Sequence, residues 1–133
     1  MRKLHLLLAL LAFAVLFAIG GTTVNADSGG LTLNTRLWCR WNDTPEGYGQ
    51  TEWRNWTYYW EGKAQPKMYL WYNNSWLYIT GNEATDYGQQ GNAIAYVNWG
   101  SPNYWFTIVT THIFPGYSPS INYTSYPATW CGY

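Results

Sequence analysis

Apolar and polar positions alternate along most of the chain after residue 30, and clusters of Gly, Asn, Pro and Asp interrupt the alternation at short intervals. Short runs rich in Trp, Tyr, Thr, Val and Ile, bounded by such turn residues, are typical of antiparallel strands. In the run 52–60, Trp53, Trp56 and Trp60 also fit helical spacing, but the density of β-branched and aromatic residues favours a strand there. The pattern predicts an all-β protein of about seven strands, at residues 31–41, 52–60, 67–72, 75–80, 92–99, 104–112 and 121–130, the last with a break at Pro127.

The clearest local signal is a hairpin over residues 67–80, with Asn73 and Asn74 at its turn. Asn accepts positive φ better than most residues, so this pair suits a two-residue turn. The turn sets the register, which places aliphatic side chains on one face and aromatic side chains on the other. The predicted pairs are Met68 with Ile79, Leu70 with Leu77, Tyr69 with Tyr78, and Trp71 with Trp76.

A second hairpin is predicted around residues 100–103, joining strands 92–99 and 104–112. A four-residue loop there sets Val97 opposite Phe106 and Ala95 opposite Ile108, which makes a face of small against large apolar residues. Together the strands predict a single antiparallel β-sandwich over residues 27–133.

The first 26 residues have the features of a secretory signal peptide. Arg2 and Lys3 supply a positive start, residues 6–19 form an apolar run, and a small-x-small cleavage site ends at Ala26. This run is shorter than the roughly 20 residues that span a bilayer. We therefore expect cleavage before Asp27 and an extracellular protein.

Two cysteines, Cys39 and Cys131, lie near the two ends of the predicted mature chain. In an oxidising compartment, such a pair predicts a disulfide. Closing so long a loop contributes about 4 to 5 kcal/mol in the chain-entropy description.

The composition excludes several classes of protein. Ten Trp, thirteen Tyr and four Phe stand against only seven basic and seven acidic residues. A disordered chain has few aromatics and a large net charge, and a nucleic-acid-binding protein carries a basic stripe. The predicted mature chain has five basic and seven acidic residues, a net charge of −2, so we expect no nucleic-acid partner.

Little in the chain points to catalysis. His112 is the single histidine of the predicted mature chain, and no nucleophile motif accompanies it. Metal sites need several His, Cys or carboxylate ligands at suitable spacing, so we expect no metal and no cofactor. Carboxylates remain as a catalytic option, since Glu46 and Glu52 border one Gly-rich loop while Glu83 and Asp86 occupy another. We expect these acids to be solvated and the protein not to be an enzyme.

The aromatic residues are the most informative group. A domain of this size has one core, and aliphatic residues already supply part of it, so some rings must lie outside. A row of exposed rings on a sheet matches the apolar faces of sugars, while the same rings are otherwise the core between two sheets. The candidates for this aromatic platform are Tyr69, Trp71, Trp76 and Tyr78, with Trp56, Tyr58 and Trp60 on a possible neighbouring strand.

In general character the chain resembles carbohydrate-binding modules and small secreted bacterial β-sandwich proteins, but no motif allows residue roles to be carried over. The first hypothesis is a secreted, non-enzymatic domain that binds a glycan or a cell-envelope surface. A membrane-active bacteriocin or toxin is the first alternative, because Trp and Tyr favour membrane interfaces. A small carboxylate-dependent glycan hydrolase is the third.

Overall fold

The computed structural model describes residues 24–26 and 29–133, and within them it contains nine strands and no helix. The all-β prediction is confirmed. The strands are β1 (Val24–Ala26), β2 (Gly29–Cys39), β3 (Pro45–Arg54), β4 (Trp60–Tyr72), β5 (Ser75–Thr80), β6 (Ala84–Gly88), β7 (Gly91–Asn98), β8 (Tyr104–Ile113) and β9 (Ile121–Cys131). The predicted signal peptide lies outside the described residues except for β1, so it stays a prediction.

The strands form two antiparallel sheets. The first has the order β1-β2-β3-β7, and the second has the order β5-β4-β8-β9 with β6 also paired to β4. The long strand β4 organises the second sheet, because β5 and β6 pair with its two halves on one side and β8 pairs with it on the other.

The hairpin predicted over residues 67–80 is confirmed pair by pair. Met68 lies opposite Ile79, Tyr69 opposite Tyr78, Leu70 opposite Leu77, and Trp71 opposite Trp76. At the turn, Asn73 and Asn74 have φ values of 47° and 60°. Positive φ at both central residues is the requirement of a type I′ turn, whose twist matches that of the strands it joins.

The predicted strand at 52–60 and the predicted hairpin around 100–103 were wrong. The strand predicted at 52–60 ends at Arg54, because Asn55 takes a φ of 61° and the chain leaves the first sheet to enter the second at Trp60. The predicted hairpin around 100–103 does not form, because β7 pairs with β3 in the first sheet while β8 pairs with β4 and β9 in the second. Val97 and Phe106 still belong to the same buried cluster, but they come from opposite sheets.

The break predicted in the last strand at Pro127 was wrong, because β9 is continuous from Ile121 to Cys131. Its pairing with β8 shifts register between Phe106 and Ile108, opposite the segment that contains the proline. Because β9 is an edge strand, a residue that has no N–H to donate is tolerated there.

Both sheets contribute to two clusters of buried apolar side chains. Fully burying an aliphatic or phenyl side chain of this kind stabilises the fold by about 1.5 to 3 kcal/mol. The first cluster contains Leu31, Leu33, Trp53, Trp56, Ala64, Ala93 and Phe114. The second contains Leu37, Met68, Leu70, Val97, Phe106, Ile108 and Cys131.

A polar network with His112 at its centre also joins the two sheets. The Thr51 hydroxyl donates to the carbonyl of Lys63 at 2.8 Å, so its oxygen accepts from Nδ1–H of His112, also at 2.8 Å. Burial lowers the pKa of His112 to about 4, so the ring is neutral at pH 7 and carries its one proton on Nδ1. Nε2 of the neutral ring therefore accepts from the Thr124 hydroxyl at 2.6 Å. Thr35 of β2 continues the network, with its hydroxyl 2.5 Å from that of Thr124.

The predicted disulfide between Cys39 and Cys131 is present, with an S–S distance of 2.08 Å and a sequence separation of 92 residues. It joins the end of β2 in the first sheet to the end of β9 in the second. The bond thus links the two sheets directly.

Candidate binding face on the second sheet

The two sides of β4 differ in burial from Gly62 to Trp71. In this stretch, residues at even positions, including Met68 and Leu70, are buried, while those at odd positions, including Tyr69 and Trp71, are partly exposed. The aliphatic residues of β4 therefore turn toward the core and its aromatic residues turn outward, whereas Leu77 and Ile79, the aliphatic partners on the edge strand β5, remain exposed. We call this outward side of the second sheet the outer face.

The four hairpin rings of the predicted platform lie together on this outer face. The ring centroids of Trp71 and Trp76 are 5.1 Å apart in an edge-to-face arrangement, and those of Tyr69 and Tyr78 are 5.9 Å apart. Such tilted and edge-to-face pairs suit the quadrupole of the rings. Tyr78 is the most open of the four, with 59% of its surface exposed.

Lys67 borders these rings on the same face. Its ammonium nitrogen lies 3.6 Å from the ring centroid of Tyr78 and 5.5 Å from that of Tyr69. A cation over an aromatic face is attracted by the ring quadrupole, by about 0.5 to 1 kcal/mol at exposed sites. The contact brings a hydrogen-bond donor beside an apolar surface.

Two further tryptophans extend the face across β8 and β9. Tyr69 lies opposite Thr107 in the β4–β8 pairing, so Trp71 and Trp105 occupy corresponding positions on the same side of the sheet. Trp105 in turn lies opposite Trp130 of β9, with ring centroids 5.9 Å apart. We call the set Trp76, Trp71, Trp105 and Trp130, which spans four neighbouring strands, the tryptophan row.

Sequence reasoning did not assign Trp105 and Trp130 to the platform. Each lies in a correctly predicted strand, but their place beside Trp71 depends on β4 pairing with β8 and β8 with β9. Alternation shows which residues of one strand share a side, but it does not show which other strand pairs with that strand.

Trp56 and Trp60 do not lie with the hairpin rings. Trp56 is only 6% exposed, its indole N–H donates to the Gly30 carbonyl at 3.1 Å, and its ring packs edge-to-face on Phe114. Trp60 also packs against Phe114, with the inward-facing residues of β4. Trp56 is therefore part of the core, and Trp60 is a partly buried residue packed against the core, away from the hairpin rings.

The third residue of that group, Tyr58, is exposed in the connection between β3 and β4. The next residue, Tyr59, stacks on Tyr87 of β6, with centroids 5.9 Å apart and an angle of 26° between the ring planes. Tyr87 lies opposite Glu61, at an odd position of β4, so this stacked pair lies on the outer face too.

The candidate carboxylates are distributed over several places. Glu46 makes a two-pronged hydrogen-bonded ion pair with Arg40, which lowers the pKa of Glu46, while Glu83 pairs with Lys63. Glu52 is bound by Arg54 and lines an open depression of about 520 Å³ together with Asp86. Both carboxylate oxygens of Asp86 accept backbone N–H groups, those of Tyr87 and Asn92, at 2.8 Å.

His112 has no access to a ligand. Its side chain is fully buried, and burial lowers its pKa from 6.5 to about 4. Within the described residues, no group of three or more His, Cys, Asp or Glu side chains is placed to hold a metal ion. The same part of the chain contains no helix of the length and hydrophobicity that crossing a membrane requires.

No protein-family model matches the chain, and comparison with curated proteins finds no significant relative. The candidate function therefore depends on the geometry of the outer face itself.

Proposed function

We propose that this protein is a secreted, non-enzymatic domain that binds a glycan or a cell-envelope polymer through the tryptophan row and the neighbouring tyrosines Tyr69 and Tyr78. In this proposal its two sheets pack as a single β-sandwich after removal of the signal peptide. The observation that carries the proposal is that the four tryptophans of the row lie side by side on one face of four neighbouring strands, where each is at least partly exposed.

This face has no structural need for so many rings. The opposite side of the same strands already supplies the buried cluster that contains Met68, Leu70 and Phe106. Monomeric soluble proteins rarely expose contiguous apolar patches of large size unless the patch makes a contact. Indole and phenol rings offer flat apolar faces to the C–H surfaces of sugars, and their N–H and O–H groups meet hydroxyls.

A glycan array provides the first test. We expect the wild-type protein to bind a subset of glycans, and Trp71→Ala and Trp76→Ala to lose most of that binding while circular dichroism shows an unchanged fold. Trp41→Ala is the matched control, because Trp41 is almost fully exposed and lies outside the sheets. No binding by the wild type, or equal binding by all four proteins, contradicts the proposal.

One observation favours a second candidate, a membrane-active protein of the bacteriocin or toxin kind. Leu77 and Ile79 are exposed on the side of β5 opposite Trp76 and Tyr78, so this edge strand presents apolar side chains on both faces. Aromatic residues favour membrane interfaces, but the predicted net charge of −2 does not favour anionic lipids. Dye release from liposomes, abolished in Leu77→Ser, is the expected sign of this activity.

The third candidate, a carboxylate-dependent glycan hydrolase, is favoured by one juxtaposition. Glu52 and Asp86 lie on strands β3 and β6 rather than in the loops expected from the sequence, and they line the same depression. Retaining and inverting glycosidases both use a pair of carboxyl groups. Release of reducing sugar that disappears in both Glu52→Gln and Asp86→Asn would support hydrolysis over simple binding.

A further inference from the structure

The outer side of β4 carries exposed aromatic rings at both of its ends. At the turn end are the hairpin rings, of which Trp71 and Tyr69 belong to β4 itself. At the other end is the stacked pair Tyr59 and Tyr87, whose rings are 62% and 65% exposed. Stacking holds these two rings in a defined orientation while leaving most of their surface open to solvent. Each end of β4 therefore offers a separate aromatic contact.

The two aromatic ends are far apart. Ten residue steps separate Glu61, opposite Tyr87, from Trp71. At about 3.3 Å per residue, this corresponds to roughly 33 Å along the strand. A single sugar ring cannot touch both ends, whereas an extended chain can. Because sheets twist, the two sets of rings need not be coplanar, which suits one flexible chain better than a flat crystalline surface.

The stretch between the two ends is polar and has no net charge. On β4 it presents Lys63, Gln65 and Lys67. Glu61 and Glu83 each lie 3.2 Å from the ammonium nitrogen of Lys63, and Lys67 is the second cation, so the stretch has two positive and two negative side chains. Side chains of this kind donate to and accept from hydroxyl groups. The absence of net charge along this line favours a neutral ligand over an acidic one.

We propose that a neutral linear polysaccharide lies along β4, with the hairpin rings beneath one part of the chain and the Tyr59–Tyr87 pair beneath another. This inference rests on the proposed function and adds the direction and the length of the ligand. The competing direction runs across the strands along the tryptophan row, past Trp105 and Trp130. That direction passes over ring after ring, whereas the line along β4 alternates rings with the polar groups that sugar hydroxyls need.

Ligands of different length can distinguish binding along β4 from binding across the strands. We would measure binding to soluble xylan, mannan, dextran and mixed-linkage β-glucan, and then titrate the disaccharide and the octasaccharide of the best-bound polymer by calorimetry. The double variant Tyr59→Ala/Tyr87→Ala should bind the octasaccharide roughly tenfold more weakly while its affinity for the disaccharide is unchanged. Trp71→Ala should weaken binding of both ligands.

One control and one comparison complete the design. Tyr58→Ala is the control, since it removes an exposed ring from the same connection and should leave octasaccharide binding unchanged. Trp130→Ala is the comparison for the competing direction, because Trp130 lies on β9 at the far end of the tryptophan row. For a ligand along β4, this variant should weaken octasaccharide binding less than the Tyr59→Ala/Tyr87→Ala double variant does.

Three outcomes contradict the inference in different ways. Octasaccharide binding that is weakened in Trp130→Ala but not in the Tyr59/Tyr87 double variant places the ligand across the strands. If the protein binds the acidic polymer polygalacturonate more strongly than the neutral polymers, and loses that binding at high salt, the ligand is acidic rather than neutral. Failure of the wild type to bind any of the polymers contradicts the proposed function as well, so the two failures are distinguishable.

Discussion

Trp71 of β4 and Trp76 of β5 face each other one pair away from the Asn73–Asn74 turn, with ring centroids 5.1 Å apart. The turn and the rings belong to one register, because shifting the pairing by one residue would turn the rings toward the core. The conformation of the two asparagines therefore fixes which side of β5 carries Trp76 and Tyr78.

The effect of a substitution at the turn on stability should depend on whether the new residue tolerates positive φ. Asn73→Ala is expected to lower the free energy of unfolding by about 1 kcal/mol, because Ala is disfavoured at the positive φ of this position. Asn74→Gly should leave stability unchanged or raise it slightly, since Asn-Gly is a preferred type I′ sequence. Urea unfolding followed by tryptophan fluorescence measures both. Equal loss in the two variants would mean that the side chains, and not φ, stabilise the turn.

A second prediction concerns the close packing around Trp53. A Cβ added at Gly62 or Gly91 would fall well inside contact distance of the fully buried indole ring. We expect Gly62→Ala to lower the free energy of unfolding by about 1 to 3 kcal/mol through overpacking. Gly100→Ala is the matched control, because no atom lies within 4 Å of a Cβ built there. Equal thermal unfolding of the two variants would show that Trp53 moves aside without cost.

How far the sequence predicts this fold depends on whether a feature is local. The hairpin over residues 67–80 could be derived to the residue, because two turn residues and the alternation around them determine its register. The connection after β7 could not, because a Ser-Pro-Asn loop serves equally well for a hairpin and for a crossing between sheets. Alternation identifies β7 and β8 as strands, but it does not say that their partners are β3 and β4.

In the candidate site, too, features that are local in sequence could be predicted and those that depend on distant residues could not. Alternation alone places Tyr69 and Trp71 on one side of β4 and Met68 and Leu70 on the other. Which side faces outward did not follow from the sequence, because the rings could equally have formed the core. The burial of Trp56 does not follow from the sequence, because it depends on Asn55 turning the chain and on Phe114, nearly 60 residues away, providing the surface that covers the ring. Contacts between residues so far apart in the chain do not produce a periodic pattern in the sequence.

Removal of the disulfide should cost more than any single turn substitution. The double variant Cys39→Ser/Cys131→Ser is expected to lose about 4 kcal/mol of stability, because the unfolded chain is released from a very long closed loop. Denaturant midpoints of the oxidised, reduced and double-serine proteins measure this loss. The reduced wild type should match the double variant, and a reduced protein as stable as the oxidised one would contradict the prediction.

Stability should also fall on mild acidification because of His112. Burial lowers the pKa of this imidazole to about 4, whereas in the unfolded chain it titrates near 6.5. Between these pH values the unfolded state binds the extra proton, so the free energy of unfolding decreases as the pH falls, by about 2 kcal/mol from pH 7 to pH 5. The lowered pKa of Glu46 changes the free energy of unfolding mainly below pH 4.5, the ordinary pKa of this group, and therefore outside the range from pH 7 to pH 5. His112→Gln cannot titrate and serves as the comparison in urea unfolding at the two pH values. The variant should lose little stability over this range, and a loss equal to that of the wild type would mean that another group is responsible.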